Sequence, residues 1–135
     1  MSLKAIKVLF WIAALYDLVL GLAFGLFYQP IYVRFGVELP NHPGYVQLSA
    51  MFIFIIGVGF SLVARDPVGN RQIILLGILM KIGFCLVVFS HLIFGTVPPI
   101  YVPFAVLDFV FLILFLPAYA VLNKSVPIQN PKSKI

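Results

Sequence analysis

The chain has 135 residues, of which 63% are hydrophobic and only 10% are charged. Its mean hydropathy is +1.15, whereas a soluble domain is about half apolar and about a quarter charged. The composition therefore excludes an ordinary soluble domain. At about 20 residues per membrane span, the length suits four spanning helices with short connections.

The formal net charge of +5 is explained by membrane topology rather than by a nucleic-acid partner, because most basic residues flank apolar runs. The chain has a single cysteine, Cys85, which excludes a disulfide framework or a cysteine zinc site within one chain. The two histidines lie apart and form no metal-binding pattern. The sequence therefore predicts neither a metal site nor a nucleic-acid partner.

The first predicted span covers residues 5–28. Its basic start and apolar run resemble a signal peptide. However, Asp17 interrupts the run, and the run is long enough to span a membrane. We therefore expect a retained helix. Asp17, Gly21 and Gly25 recur at intervals of four and share one helix face. The GxxxG pair allows another backbone to approach closely, so Asp17 is expected to face protein rather than lipid.

A polar connection, residues 29–43, contains three prolines and separates the first span from the second, residues 45–64. Gly57 and Ser61 repeat the small-residue spacing typical of helix packing in membranes. The sequence RDPVGNR follows at residues 65–71 and is rich in turn formers. So short a connection predicts an antiparallel pair of helices, with Asn70 as the N-cap of the next one.

The third predicted span, residues 72–94, carries Lys81 about halfway along, with the packing residue Gly77 one turn before it. The fourth, residues 103–122, carries Asp108. Pro117 lies inside the fourth span, where it predicts a kink or an early end.

A lysine at the depth of Lys81 costs several kcal/mol unless it is paired or hydrated. The other charges at membrane depth are Asp17 and Asp108, and four spans place all three at similar heights. We therefore predict that Lys81 contacts at least one of these acids. Two interpretations stay open: an ion pair that fixes the order of the helices, or a site that binds a ligand or a proton.

The basic residues also predict the topology. With four spans, seven of them fall on one side of the membrane and Arg34 on the other. Cytoplasmic loops carry the excess of lysine and arginine, so both termini are predicted to be cytoplasmic. The seven are Lys4, Lys7, Arg65, Arg71, Lys124, Lys132 and Lys134. Residues 1–123 form one transmembrane domain in this interpretation, and residues 124–135 form a polar cytoplasmic tail.

The glycine-bearing first helix, the Arg-Asp-Pro turn after helix 2 and the lysine within GILMKIG (residues 77–83) resemble the DoxX-like group of small bacterial membrane proteins. The similarity is one of layout and covers most of the chain. The resemblance implies a four-helix bundle of the inner, or plasma, membrane. The namesake of the group is associated with a thiosulfate:quinone oxidoreductase, which implies redox complexes or quinone. It supplies no catalytic motif that can be placed on this chain.

Three functions are compatible with these features. The first is a protein that binds an apolar ligand, lipid or quinone, near Asp17, Lys81 and Asp108, or that acts as an accessory subunit of a larger membrane complex or a homo-oligomer. The second is a small proton-coupled transporter. The third is a membrane enzyme, for which the sequence contains no catalytic pattern. We rank the three functions in this order.

Overall fold

The computed structural model describes residues 1–124, which form four α-helices. The helices are α1 (Leu3–Arg34), α2 (Gly44–Arg65), α3 (Arg71–Ile93) and α4 (Tyr101–Lys124). Each is long and apolar enough to cross a membrane. The predicted all-helical fold with four candidate spans is therefore confirmed. The predicted tail covers residues 124–135. Lys124 is the last residue of α4, and the rest of the tail is outside the described residues.

Helix α1 extends past the predicted end of its span at residue 28 and continues to Arg34. Pro30 lies inside the helix, and the backbone at Phe27 leaves helical geometry with φ −123° and ψ 21°. A proline lacks the N–H that would bond four residues back, and its ring crowds that turn, so the helix bends there instead of ending. Pro117 likewise lies within α4, which continues to Lys124.

Glycines terminate α1 and α3 in the same way. Gly36 and Gly95 have positive φ angles of 65° and 68°. The next residue in each case donates a backbone hydrogen bond back into the last helical turn, from Val37 to Tyr32 at 2.9 Å and from Thr96 to His91 at 2.9 Å. These are Schellman ends, which need one residue in the left-handed backbone conformation, and glycine adopts that conformation without strain.

The turn between α2 and α3 is stabilised by its own side chains. Asp66 accepts a hydrogen bond from the Gly69 backbone N–H at 3.0 Å. Asn70 occupies the N-cap position of α3, as predicted, but makes no side-chain capping bond there. Its amide instead donates to the carbonyl oxygens of Leu62 and Asp66 at 3.1 and 3.0 Å. Both carbonyls also accept backbone N–H groups, from Asp66 and Asn70, so the Asn70 side chain adds a second bond to each and ties the turn to the end of α2.

Three phenylalanines from different helices form the centre of the larger hydrophobic core, here called the Phe115 core. Phe10 of α1 stacks on Phe115 of α4 with ring centroids 4.6 Å apart. Phe60 of α2 meets Phe10 and Phe115 at 5.5 and 5.1 Å. Ile74 of α3 belongs to the same core. The start of α1, the end of α2, the start of α3 and the end of α4 thus lie together.

The predicted packing residues make unequal contacts. A Cβ on Gly21 would lie 2.8 Å from the backbone of α2, and one on Gly57 would lie 2.8 Å from the Leu18 nitrogen of α1. Gly25 has room for a methyl group, whose nearest neighbour would be 3.8 Å away. Gly77 lies against the Phe60 ring, 2.5 Å from where its Cβ would be. Ser61 donates to the Val58 carbonyl of its own helix.

Candidate functional site

Three charged residues that lie away from the helix ends meet in one buried group, here called the ion triad: Asp17, Lys81 and Asp108. The Lys81 ammonium donates to Asp108 Oδ1 at 2.7 Å and to the two carboxylate oxygens of Asp17 at 3.0 and 3.3 Å. The exposed fractions of the three residues are 1%, 0% and 5%. The predicted contact between Lys81 and an acid is confirmed, and both acids take part.

Two aromatic rings complete the surroundings of the Lys81 ammonium. The nitrogen lies 5.2 Å from the centroid of the Tyr16 ring and 5.5 Å from that of Phe111. The negative face of an aromatic ring attracts a cation at this distance. Sequence reasoning missed both rings, although Tyr16 directly precedes Asp17 and Phe111 follows Asp108 by three residues. The Tyr16 hydroxyl is buried and has no hydrogen-bond partner within residues 1–124.

The charge balance of the ion triad determines what chemistry it can support. Two carboxylates and one ammonium leave one surplus negative charge when all three groups are ionised. A proton on either carboxyl makes the group neutral. In a low-dielectric interior an unbalanced charge is costly, so the ion triad can hold one exchangeable proton or stay ionised beside a further hydrogen-bond donor.

A cavity lies next to the ion triad, on the side opposite the Phe115 core. Its volume is about 480 Å³, and it is lined by residues of all four helices, including Leu20, Ser49, Phe84 and Phe104. Met80, also in the lining, directly precedes Lys81. Small-molecule sites in proteins are apolar cavities of about 300–1,000 Å³ with a few polar groups. We call this space the aromatic cavity, because seven of its thirteen lining residues are aromatic.

The aromatic cavity extends to the outer surface of the bundle along α2. Two of its lining residues, Tyr45 and Phe52, are 64% and 59% exposed. A hydrophobic molecule dissolved in the bilayer can therefore approach the cavity from the side. Its inner end lies about one helical turn from the ion triad, because Leu20 follows Asp17 by three residues and Phe104 precedes Asp108 by four.

The main polar feature of the aromatic cavity is a pair of tyrosines, Tyr32 of α1 and Tyr101 of α4, whose hydroxyl groups are hydrogen-bonded to each other. Tyr32 is 5% exposed and lies beyond the bend at Phe27. The Phe24 ring packs edge-on against the rings of Tyr32 and Phe104, at 6.2 and 5.9 Å. Tyr32 lies in α1, whereas the sequence predicts it in the connection that follows the first span.

The structure thus brings Asp17, Lys81 and Asp108 together and places the predicted packing glycines outside this group. Gly77 is on the face of Lys81 but contacts the Phe115 core. Within residues 1–124, no group of three or more histidine, cysteine or acidic residues could hold a metal ion.

Fold and site together indicate a small multi-pass helical membrane protein with a buried Asp–Lys–Asp group. Comparison of the chain with protein-family models, with curated proteins and with solved structures finds no match. The proposal for its function therefore depends on the geometry of the ion triad and the aromatic cavity.

Proposed function

We propose that this protein binds an apolar ligand from the bilayer, a lipid or a quinone, in the aromatic cavity beside the ion triad. The observation that carries the proposal is the cavity itself: about 480 Å³, lined by all four helices and reaching the bundle surface at Tyr45 and Phe52. In this proposal the ion triad fixes the helices around the inner end of the cavity.

The ion triad supports this role because it ties three helices together at one level. Lys81 of α3 bonds Asp17 of α1 and Asp108 of α4 at the same time. These bonds fix α1, α3 and α4 relative to one another beside the inner end of the cavity. A cavity kept open by a fixed frame loses less conformational entropy when a ligand binds.

Ligand binding predicts that an apolar molecule co-purifies with the protein and that filling the cavity displaces it. Ser49 lines the cavity from α2. Ser49→Trp should lower the amount of ligand recovered by mass spectrometry about tenfold, because the indole occupies the space that the ligand needs.

Ser90→Trp is the matched control. Ser90, like Ser49, is an exposed serine that bonds a carbonyl of its own helix, but it lies outside the cavity lining. Equal recovery of the same molecule from wild type and from both variants would place the ligand elsewhere and end this proposal.

We also propose an antiparallel bundle with both termini in the cytoplasm. The helix ends that carry Lys4, Arg65, Arg71 and Lys124 lie together around the Phe115 core, whereas Arg34 ends α1 at the other side of the bundle. The positive-inside rule assigns the first group to the cytoplasm.

Cysteine labelling tests this topology. Lys4→Cys and Arg65→Cys should react with an impermeant maleimide only from the cytoplasmic side of sealed vesicles, and Arg34→Cys only from the other side, because opposite ends of a span face opposite compartments. The native Cys85 is buried and is replaced by alanine throughout. Labelling of Lys4→Cys and Arg34→Cys from the same side would refute the four-span arrangement.

A small proton-coupled transporter is the second candidate. It is favoured by the surplus carboxylate of the ion triad, which can take up a proton. We rank it lower because Lys81 competes with a proton for both acids and because all three groups are at most 5% exposed. Proton flux into vesicles that contain the protein, lost in Asp108→Asn, would reverse this ranking.

The location and partners belong to the same proposal. The four candidate spans support a multi-pass membrane protein. We further propose a bacterial inner membrane, a DoxX-like relationship and a role as an accessory subunit of a larger complex or a homo-oligomer, from the layout of the sequence alone. The accessory role is compatible with ligand binding, since the aromatic cavity is formed within one chain.

A further inference from the structure

The Tyr32–Tyr101 pair has one more hydrogen-bond donor than it uses. Two phenol groups carry two hydroxyl hydrogens, and the bond between them consumes one. Among the described residues, neither hydroxyl has another hydrogen-bond partner. Both residues line the aromatic cavity, so one hydroxyl hydrogen is left for an acceptor on a molecule bound there.

The rest of the lining determines the shape of that molecule. Aromatic side chains come from every helix, with Phe24 of α1, Phe52 of α2, Phe84 of α3 and Phe104 of α4. Aromatic walls pack best against a flat ring, in stacked or edge-on contacts, and add specificity beyond the burial of apolar area. A flexible acyl chain would be bound equally well by aliphatic walls, so the aromatic lining does not favour it.

We propose that the aromatic cavity selects a flat conjugated ring that carries a carbonyl acceptor, and that the Tyr32–Tyr101 pair donates to this carbonyl. The proposal rests on ligand binding in the cavity and narrows its ligand to ring carbonyl compounds, the chemistry that a quinone head presents. Glycerolipids, whose ester carbonyls lie on flexible chains, are the rejected class.

The pair of probes menadione and 2-methylnaphthalene tests this directly, since they share a fused ring and a methyl group and differ in the two carbonyls. Binding is measured by equilibrium dialysis against protein in nanodiscs, with empty nanodiscs subtracted. Wild type should prefer menadione over 2-methylnaphthalene by about fivefold or more, the effect of one net hydrogen bond in a buried site.

Tyr32→Phe combined with Tyr101→Phe should abolish the preference. Removing both partners leaves two apolar rings and no orphaned hydroxyl, so the double variant is expected to fold. Tyr28→Phe combined with Tyr119→Phe removes two hydroxyls outside the cavity lining and should leave the preference unchanged.

The outcomes separate this inference from the proposed function. If both probes bind equally well and Ser49→Trp blocks both, the cavity binds apolar molecules but the carbonyl selectivity is wrong. A preference for menadione that survives the loss of both hydroxyls also refutes the role of the tyrosine pair. If neither probe binds above empty nanodiscs while a phospholipid co-purifies and is displaced by Ser49→Trp, the ring selectivity fails and lipid binding stands.

Discussion

Replacing Lys81 by methionine should lower the free energy of unfolding by about 3–5 kcal/mol, the usual cost of removing one partner from a buried ion group. Methionine matches the length of the lysine stem, so the change removes charge more than volume. In the wild-type protein Asp17 and Asp108 share the Lys81 ammonium. In the variant both are buried carboxylates without a counterion. Unfolding in mixed detergent micelles measures the loss.

The triple variant Lys81→Met, Asp17→Asn, Asp108→Asn should be more stable than Lys81→Met alone, because no buried charge remains. Lys124→Met provides the surface control: it removes an exposed lysine at the end of α4 and should change stability by less than about 0.5 kcal/mol. A single Lys81→Met variant as stable as wild type would show that the ion triad does not hold the helices together.

Much of the fold could be predicted because membrane helices have strong sequence signals. The apolar runs located all four helices, and the bounds of α2 and α3 were within one residue of those observed. The predicted end of the first span at residue 28 is too early for the helix, because Pro30 lies inside α1 and not in the connection. Gly36 was the available signal, since a glycine after the last helical residue marks a Schellman end.

The ion triad could also be predicted, because so few charges lie within the spans that their partners were restricted. The depth of each charged residue along its span was enough to predict that Lys81 lies at the level of both acids. The aromatic cavity could not be predicted in the same way. It depends on the bend at Phe27, beyond which Tyr32 bonds Tyr101, and on residues of all four helices meeting around one space. Both are properties of three-dimensional packing that no spacing in the sequence records.

The close contact between α1 and α2 leads to the second large effect. Gly57→Ala should lower the free energy of unfolding by about 1–3 kcal/mol, the typical cost of overpacking. The new methyl carbon would lie 2.8 Å from the Leu18 nitrogen and 3.2 Å from the Asp17 carbonyl carbon. Because both are backbone atoms, no side chain can rotate away, and the two helices must separate.

Gly83→Ala is the matched control for this prediction. Gly83 is also a mid-helix glycine, but nothing lies within 4 Å of where its Cβ would be. Alanine is the better helix former by up to about 1 kcal/mol, so this variant should be as stable as wild type or more stable.

The two variants should also differ in function, since separating α1 from α2 moves Asp17, which anchors the ion triad, and Ala50, which lines the aromatic cavity. Gly57→Ala should therefore retain less co-purified ligand than Gly83→Ala in the same detergent. Equal stability and equal ligand content in the two variants would mean that α1 and α2 do not approach closely at Gly57, and that the frame around the cavity has a different basis.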